Sequence, residues 1–323
     1  MKFSENLSEN RYFIFEKNHI GGGKEYVKGV ISYIASLFGG SWMKVFHPHP
    51  KTNRKYHVTI GAIFKNEAQY LKEWIEFHRI VGVEHFYLYN NCSDDNYMDV
   101  LRPYVEQGLV TLIDWPYQQA QMQCYTDIIK KFRNETEWLG FIDIDEFVIP
   151  KSALTIYETL QPFRYAPSVL IYWRVFGTSG LMDRNRNGLV TEDFIVSWPK
   201  YYTVGKCFLN MDYDFDLSSS LNGCIHHVAW GTYHGIPCPP LNVFGYPVLK
   251  SIHRYRRHSV PLQINHYFTK SYAEYQEKRS KGDVYFKLNP HDESYFFEHE
   301  ERCQDVDYSA YRFLIKLKQA MDK

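Results

Sequence analysis

A chain of 323 residues that is 45% hydrophobic and 23% charged carries enough apolar material for one large folded domain, which excludes a disordered chain. Its 37 Lys and Arg balance 37 Asp and Glu, so it lacks the broad positive field that supplies most affinity for a nucleic-acid backbone, and nucleic acid is not an expected partner. No run of about 18 apolar residues and no secretory leader pattern is visible. Cys92, Cys124, Cys207, Cys224, Cys238 and Cys303 form no Cys-x-x-Cys pair, and free thiols in a reducing, cytoplasmic setting are the expectation.

Residues 1 to about 55 read as an extension with one short amphipathic helix, in which Val27, Val30, Ile31, Ile34, Leu37 and Phe38 form an apolar stripe. Docking on the main domain is expected, because Lys24 and Lys28 alone offer little to anionic lipid; peripheral contact with the inner face of a membrane is the alternative. From residue 56 strands and helices alternate. His57–Phe64 is a near-continuous apolar run, as a strand covered on both faces requires. A helix over 67–80, a strand over 83–89, a helix over 95–105, a strand over 109–113, a helix over 118–132 and a strand from Trp138 follow. This alternation implies an α/β fold with a doubly wound, mostly parallel sheet whose site lies beyond the carboxyl ends of the strands. After Pro150 the pattern loosens into short strands and loops, with a strand over 262–267, a polar helix over 271–281 and a helix from Tyr308. No second domain is visible, so residues 56–323 form one domain whose carboxyl-terminal half completes the site.

The run from Trp138 to Pro150 delivers Asp143, Asp145 and Glu146 out of apolar chain. Read as a strand, it sends Ile142 and Ile144 one way and Asp143 and Asp145 the other, so the two acids converge. Convergent carboxylates at a strand end suit Mg²⁺ or Mn²⁺, which commonly keep one or two protein carboxylates and take the rest of their shell from water and phosphates. Lys65, Asn66 and Glu67 after the first strand, and Asn90 to Asp95 after the second, gather on the same rim.

Taken together, Phe64-Lys65-Asn66-Glu67, Tyr89-Asn90-Asn91, Ser93-Asp94-Asp95, Gln121 ahead of Tyr125-Thr126-Asp127, Phe141-Ile142-Asp143-Ile144-Asp145-Glu146-Phe147, Trp173 to Gly180 and His266 to Ser271 resemble, in order, glycosyltransferase family 92 and its bacterial family 2-like relatives. The resemblance covers about residues 57 to 282. It implies a GT-A fold, a nucleotide-sugar donor of the UDP type, Mn²⁺ or Mg²⁺ at the Asp-x-Asp triplet, and inverting transfer to a glycan or lipid-linked acceptor in surface polysaccharide synthesis. It assigns Lys65, Asn66, Glu67, Asn91, Asp94, Gln121, Asp143 and Lys270 to the nucleotide sugar, and Asp143, Asp145 and His266 to the metal. His226, His227 and His234 are rival ligands, and protonation of a histidine ligand near pH 6.5 would compete with the ion. Asp183 and Glu146 are candidate catalytic carboxylates, Glu146 lying close to the metal side. Lys206 is a further candidate partner for phosphate, as is the basic run His253 to His258 for an anionic acceptor.

Two rivals remain on the residues alone. A nucleotidyl- or phosphotransferase on the same scaffold would more often carry a glycine-rich phosphate loop after its first strand, and Phe64-Lys65-Asn66-Glu67 has no glycine. A non-catalytic sugar-binding module has no need of both acids.

Overall fold

The structure is a computed structural model that describes residues 13, 14, 34, 40–184, 187–202, 204–218, 228–248, 260–280 and 292–322. The amino-terminal stripe, except Ile34, lies outside the described residues, as do His226, His227 and the basic run from His253 to His258.

The expected alternation is present. Strand β1 (Tyr56–Phe64) leads to α1 (Ala68–Ile80), β2 (His85–Asn90), α2 (Tyr97–Glu106), β3 (Val110–Asp114), α3 (Gln121–Phe132) and β4 (Thr136–Phe141). These four strands run parallel in the order β3-β2-β1-β4. Helices cover both faces, which explains the continuous burial of β1 from Val58 to Phe64. Register pairs Ile60 with Phe86 and Gly61 with Tyr87, on opposite faces. Trp74 of α1 packs on Phe86, with ring centroids 5.4 Å apart, and Phe132 of α3 stacks on Tyr87 at 4.1 Å.

The sheet continues through β7 (Gly205–Asn210), β6 (Ser168–Val175), β8 (Leu262–His266) and β5 (Glu146–Pro150), with Leu241–Asn242 paired to β6. β7 runs antiparallel between β4 and β6, while β8 is parallel to β6 and antiparallel to β5. The whole is a nine-stranded, largely parallel sheet. Gly140 is where β4 meets β7: a Cβ there would lie 2.7 Å from the ring of Phe208. Among the described residues three helices follow β8: α4 (Tyr272–Ser280), α5 (Glu293–Glu301) and α6 (Tyr311–Met321). α6 packs on α1, with Phe313 5.8 Å from Phe77, and Lys72 Nζ donates to the Met321 carbonyl at 2.7 Å.

The acid run departs from the strand expected of it. Residues 142–145 are not strand: they turn the chain from β4 into β5, closed by Glu146 N–H donating to the Asp143 carbonyl at 3.0 Å. The turn holds because Trp74 Nε1 donates to the carbonyls of both Asp143 (3.0 Å) and Glu146 (2.9 Å), while Asp143 N–H donates to Glu146 Oε2 at 2.9 Å. Strand alternation therefore does not aim the acids. Among the described residues no helix is long and apolar enough to cross a membrane, and Cys92, Cys124, Cys207, Cys238 and Cys303 are free thiols.

Candidate active site

The polar loops at the carboxyl ends of β1, β2 and β4 meet the carboxyl-terminal half at one cavity of about 280 Å³. Lys65, Glu67, Asn91 and Gln121 line it from the first half, Asp143 and Asp145 from the turn, and Trp173, His266, Phe268 and Lys278 from the second half. Non-glycine residues Asn66, Cys92, Gln119 and Lys270 hold left-handed backbone around this rim, with φ of 56°, 55°, 51° and 51°. Such conformations persist only where neighbours over-determine them. At Asn66 the neighbours are visible: its N–H donates to Ser93 Oγ at 3.0 Å and its side-chain oxygen accepts from Asp94 N–H at 2.9 Å.

Each acid has its own cation. Asp143 Oδ2 lies 2.7 Å from Lys206 Nζ on β7, and Tyr125 Oη donates to its Oδ1 at 3.2 Å. Asp145 Oδ2 accepts from Lys278 Nζ of α4 at 2.6 Å, and its Oδ1 stands 3.7 Å from His266 Nε2. Burial opposes ionisation of Asp145, but its basic neighbours, Lys278 foremost with His266 and Lys270 behind it, together hold the carboxyl well below the usual carboxylate range. Burial pushes His266 down to about 4, against the pull of Asp145, so the imidazole is neutral near pH 7. The expected competition with protons near pH 6.5 is therefore displaced to acid.

A neutral imidazole beside an ionised carboxylate is a donor pair that suits Mn²⁺ or Mg²⁺, ions that commonly keep water and phosphate oxygens in the rest of their shell. Asp143 lines the same cavity but is held by Lys206 and Tyr125, and among the described residues its oxygens form no close three-ligand cluster with Asp145 and His266. Among the described residues, His299, Glu300 and Cys303 do bring donor atoms within 4.8 Å of one another. That trio is a structural knot: Glu300 accepts from Thr178 Oγ1 at 2.6 Å, and burial pushes the Cys303 thiol up to about 12, so it keeps its proton.

Other expected residues fall elsewhere. Glu146 is fully buried behind the turn and 3.5 Å from Lys206 Nζ; burial, with the charges of Asp143 and Asp145, pushes its carboxyl up. Lys270 is buried with Nζ 4.0 Å above the Tyr70 ring and does not line the cavity. Asp94 is exposed outside the lining, and Asn66 acts through the loop it braces. Asp183 is exposed, its carboxylate capping the adjacent Arg184 N–H at 2.8 Å, and it too lies outside the lining. His234 sits in an exposed hairpin turn at Tyr233–Ile236. Sequence reasoning missed Lys278, which in a polar helix looks like any solvated lysine.

Residues 54–215, half of the chain, match the sequence profile of Glycosyltransferase family 92. The rice (Oryza sativa subsp. japonica) glycosyltransferase family 92 protein Os08g0121900 is 31% identical over 153 residues, 45% of this chain and 26% of that protein. The beta-1,4-galactosyltransferase galt-1 of Caenorhabditis elegans is 27% identical over 128 residues, 36% of this chain and 30% of that protein. This chain thus spans under a third of the length of the curated relatives it matches. Among solved structures, S. aureus TarS 1-349 in complex with UDP superposes with a TM-score of 0.31 and 12% identity over 40% of this chain and 38% of that one.

Proposed function

Because the chain belongs to glycosyltransferase family 92, we propose that its cavity binds a nucleotide sugar and that the protein transfers the sugar to a hydroxyl of a glycan or lipid-linked acceptor. The observation that carries this reading is the convergence on one cavity of Asp143, Asp145 and His266 with Lys65, Glu67 and Asn91 from the first two strand ends. In doubly wound sheets the nucleotide belongs at those strand ends. Asp145 and His266 would hold Mn²⁺ or Mg²⁺, with Asp143 lining the same cavity. A divalent ion bound there supplies Lewis-acid neutralisation of the leaving diphosphate.

The chain's own residues set up the rest. As the bond from the anomeric carbon to the diphosphate oxygen breaks, negative charge builds on the diphosphate, and Lys278 and Lys65 are the cavity-lining ammonium groups that meet it. Lys206 stays on Asp143 and keeps that carboxylate oriented. Trp173 and Phe268 exclude water from the sugar end, which favours transfer over hydrolysis. An acceptor hydroxyl attacks the face opposite the diphosphate, inverts the centre and gives its proton to a base on that side. Glu146 is too deeply buried for that task.

The test is a panel of UDP-sugars incubated with and without Mn²⁺, UDP-galactose first because of the activity in galt-1's name. Metal-stimulated release of UDP that needs Asp145 is expected. Absence of UDP binding by calorimetry, with and without Mn²⁺, would overturn the reading.

A further inference from the structure

A second chamber, of about 360 Å³, adjoins the acid cavity and shares Trp173, His266 and Phe268 with it as a common wall. Its far side is built by Trp198, Tyr202 and Tyr295, and its polar edge by Glu298 and Arg302. We infer that this chamber seats a neutral sugar ring of the acceptor glycan and that Glu298 takes the proton from the attacking hydroxyl. The inference rests on the donor site proposed above.

Size and lining support a sugar. The volume is at the low end of small-molecule sites, roughly 300–1,000 Å³, and suits a monosaccharide unit rather than a nucleotide. Aromatic rings offer flat apolar faces to the C–H face of a pyranose, while a few polar groups fix its hydroxyls. The platform is held rigid: Trp198 Nε1 donates to the His299 carbonyl at 3.0 Å, the Arg302 guanidinium lies 5.1 Å from the Trp198 ring centroid, and His299 Nε2 donates to the Phe176 carbonyl at 3.1 Å. Pre-set rings lose little freedom on binding.

Position supports the chemistry. The shared wall contains His266, the residue beside Asp145, so a sugar in the second chamber faces the reacting end of a donor in the first. Glu298 is the one carboxylate in the chamber's lining, and it stands four residues before Arg302, on the same side of α5 and its carboxyl-terminal cap. The step balances: the acceptor O–H proton passes to the Glu298 carboxylate, the oxygen bonds to the anomeric carbon, and the electron pair of the breaking bond leaves on the nucleoside diphosphate. Asp183 has no comparable position.

The experiment is saturation-transfer NMR of the full chain with UDP and Mn²⁺ present, probed with methyl glycosides of galactose, glucose, mannose and N-acetylglucosamine, beside transfer assays with the UDP-sugar panel. Wild type is expected to bind at least one glycoside. Trp198→Ala and Tyr202→Ala should each weaken it about tenfold, with UDP affinity unchanged within about twofold. Tyr202 guards against misfolding at the buried Trp198. Glu298→Gln should keep both affinities and lose transfer about a hundredfold or more. If wild type binds UDP and hydrolyses a UDP-sugar but no glycoside binds, or if binding ignores both aromatic variants, the chamber assignment falls alone. Full transfer by Glu298→Gln removes the base. Failure to bind UDP at all brings down the donor reading and this inference with it.

Discussion

Lys206 Nζ, wholly buried on the central strand β7, sits 2.7 Å from Asp143 Oδ2 and 3.5 Å from Glu146 Oε2, so one ammonium stands between two acids of the turn, pairing with Asp143 while burial and the neighbouring acids push the Glu146 carboxyl up. Burial works against its charge, but the acids around it, Asp143 foremost, together raise the ammonium above its ordinary value. Removing one member of a buried ionic group costs more than the pair contributes, because the remaining charge is stranded. Lys206→Met is accordingly expected to lose about 3 kcal/mol of stability, read by urea denaturation. A variant as stable as wild type would show that the lysine is dispensable to the turn.

Asp143→Asn and Asp145→Asn should both abolish transfer but differ in stability. Asp143→Asn leaves the buried Lys206 with Glu146 alone and should lower the melting temperature. Asp145→Asn faces Lys278, whose side chain is 39% exposed and can turn to water, so its melting temperature should hardly move. Equal losses in the two variants would contradict this division.

Metal removal supplies a third prediction. Chelation should stop UDP release from the active UDP-sugar, and added Mn²⁺ should restore it. His266→Ala should bind Mn²⁺ at least tenfold more weakly in the presence of UDP, whereas a purely structural histidine would lower the melting point and leave the metal affinity alone.

Lys278→Ala tests whether this lysine meets diphosphate or merely plugs Asp145. Weaker UDP binding by about tenfold, with uridine unaffected, is the expected outcome for one lost charge-assisted contact. Tighter Mn²⁺ binding with unchanged UDP affinity would identify a plug.

Acid should unfold the protein through its neutral histidines. His78 donates from Nδ1 to the Trp74 carbonyl at 2.8 Å and accepts Val148 N–H at Nε2, and burial pushes it down to about 3. The unfolded chain takes up a proton near pH 6.5 that the folded chain refuses until about pH 3. Stability is therefore full above pH 6.5 and falls with pH between those values, by about 1.4 kcal/mol per unit for His78 alone. Denaturation at pH 7, 6 and 5 measures the slope, and His78→Gln should flatten it by about one proton.

The first half of the fold was legible because its strands are covered on both faces and its helices carry one apolar stripe. The acid turn was not, because residues 141–149 contain no Gly, Asn or Pro to announce a reversal. The reversal is imposed from outside by the Trp74 indole, more than sixty residues earlier in the chain. Strand β7 was missed for a related reason: Gly-Lys-Cys-Phe-Leu-Asn looks half polar, yet all six residues are buried because Asp143 partners the lysine and the Arg164 carbonyl accepts from Asn210. α5, with Glu298 and Arg302, has the charge pattern of a solvated helix, and nothing local reveals the chamber it borders.

The sheet order has a consequence for the protein's birth. Strand β5, which follows directly on the acids, pairs only with β8 among the described strands, and β8 begins more than a hundred residues later. At about 5–20 residues per second on the ribosome, a nascent chain holds Asp143, Asp145 and Glu146 for several seconds before their supporting ladder exists. During that interval three carboxylates next to an unpaired apolar strand invite off-pathway pairing, so slow codons or a pause between residues 150 and 262 would be expected to reduce soluble yield more than the same pause placed before β1.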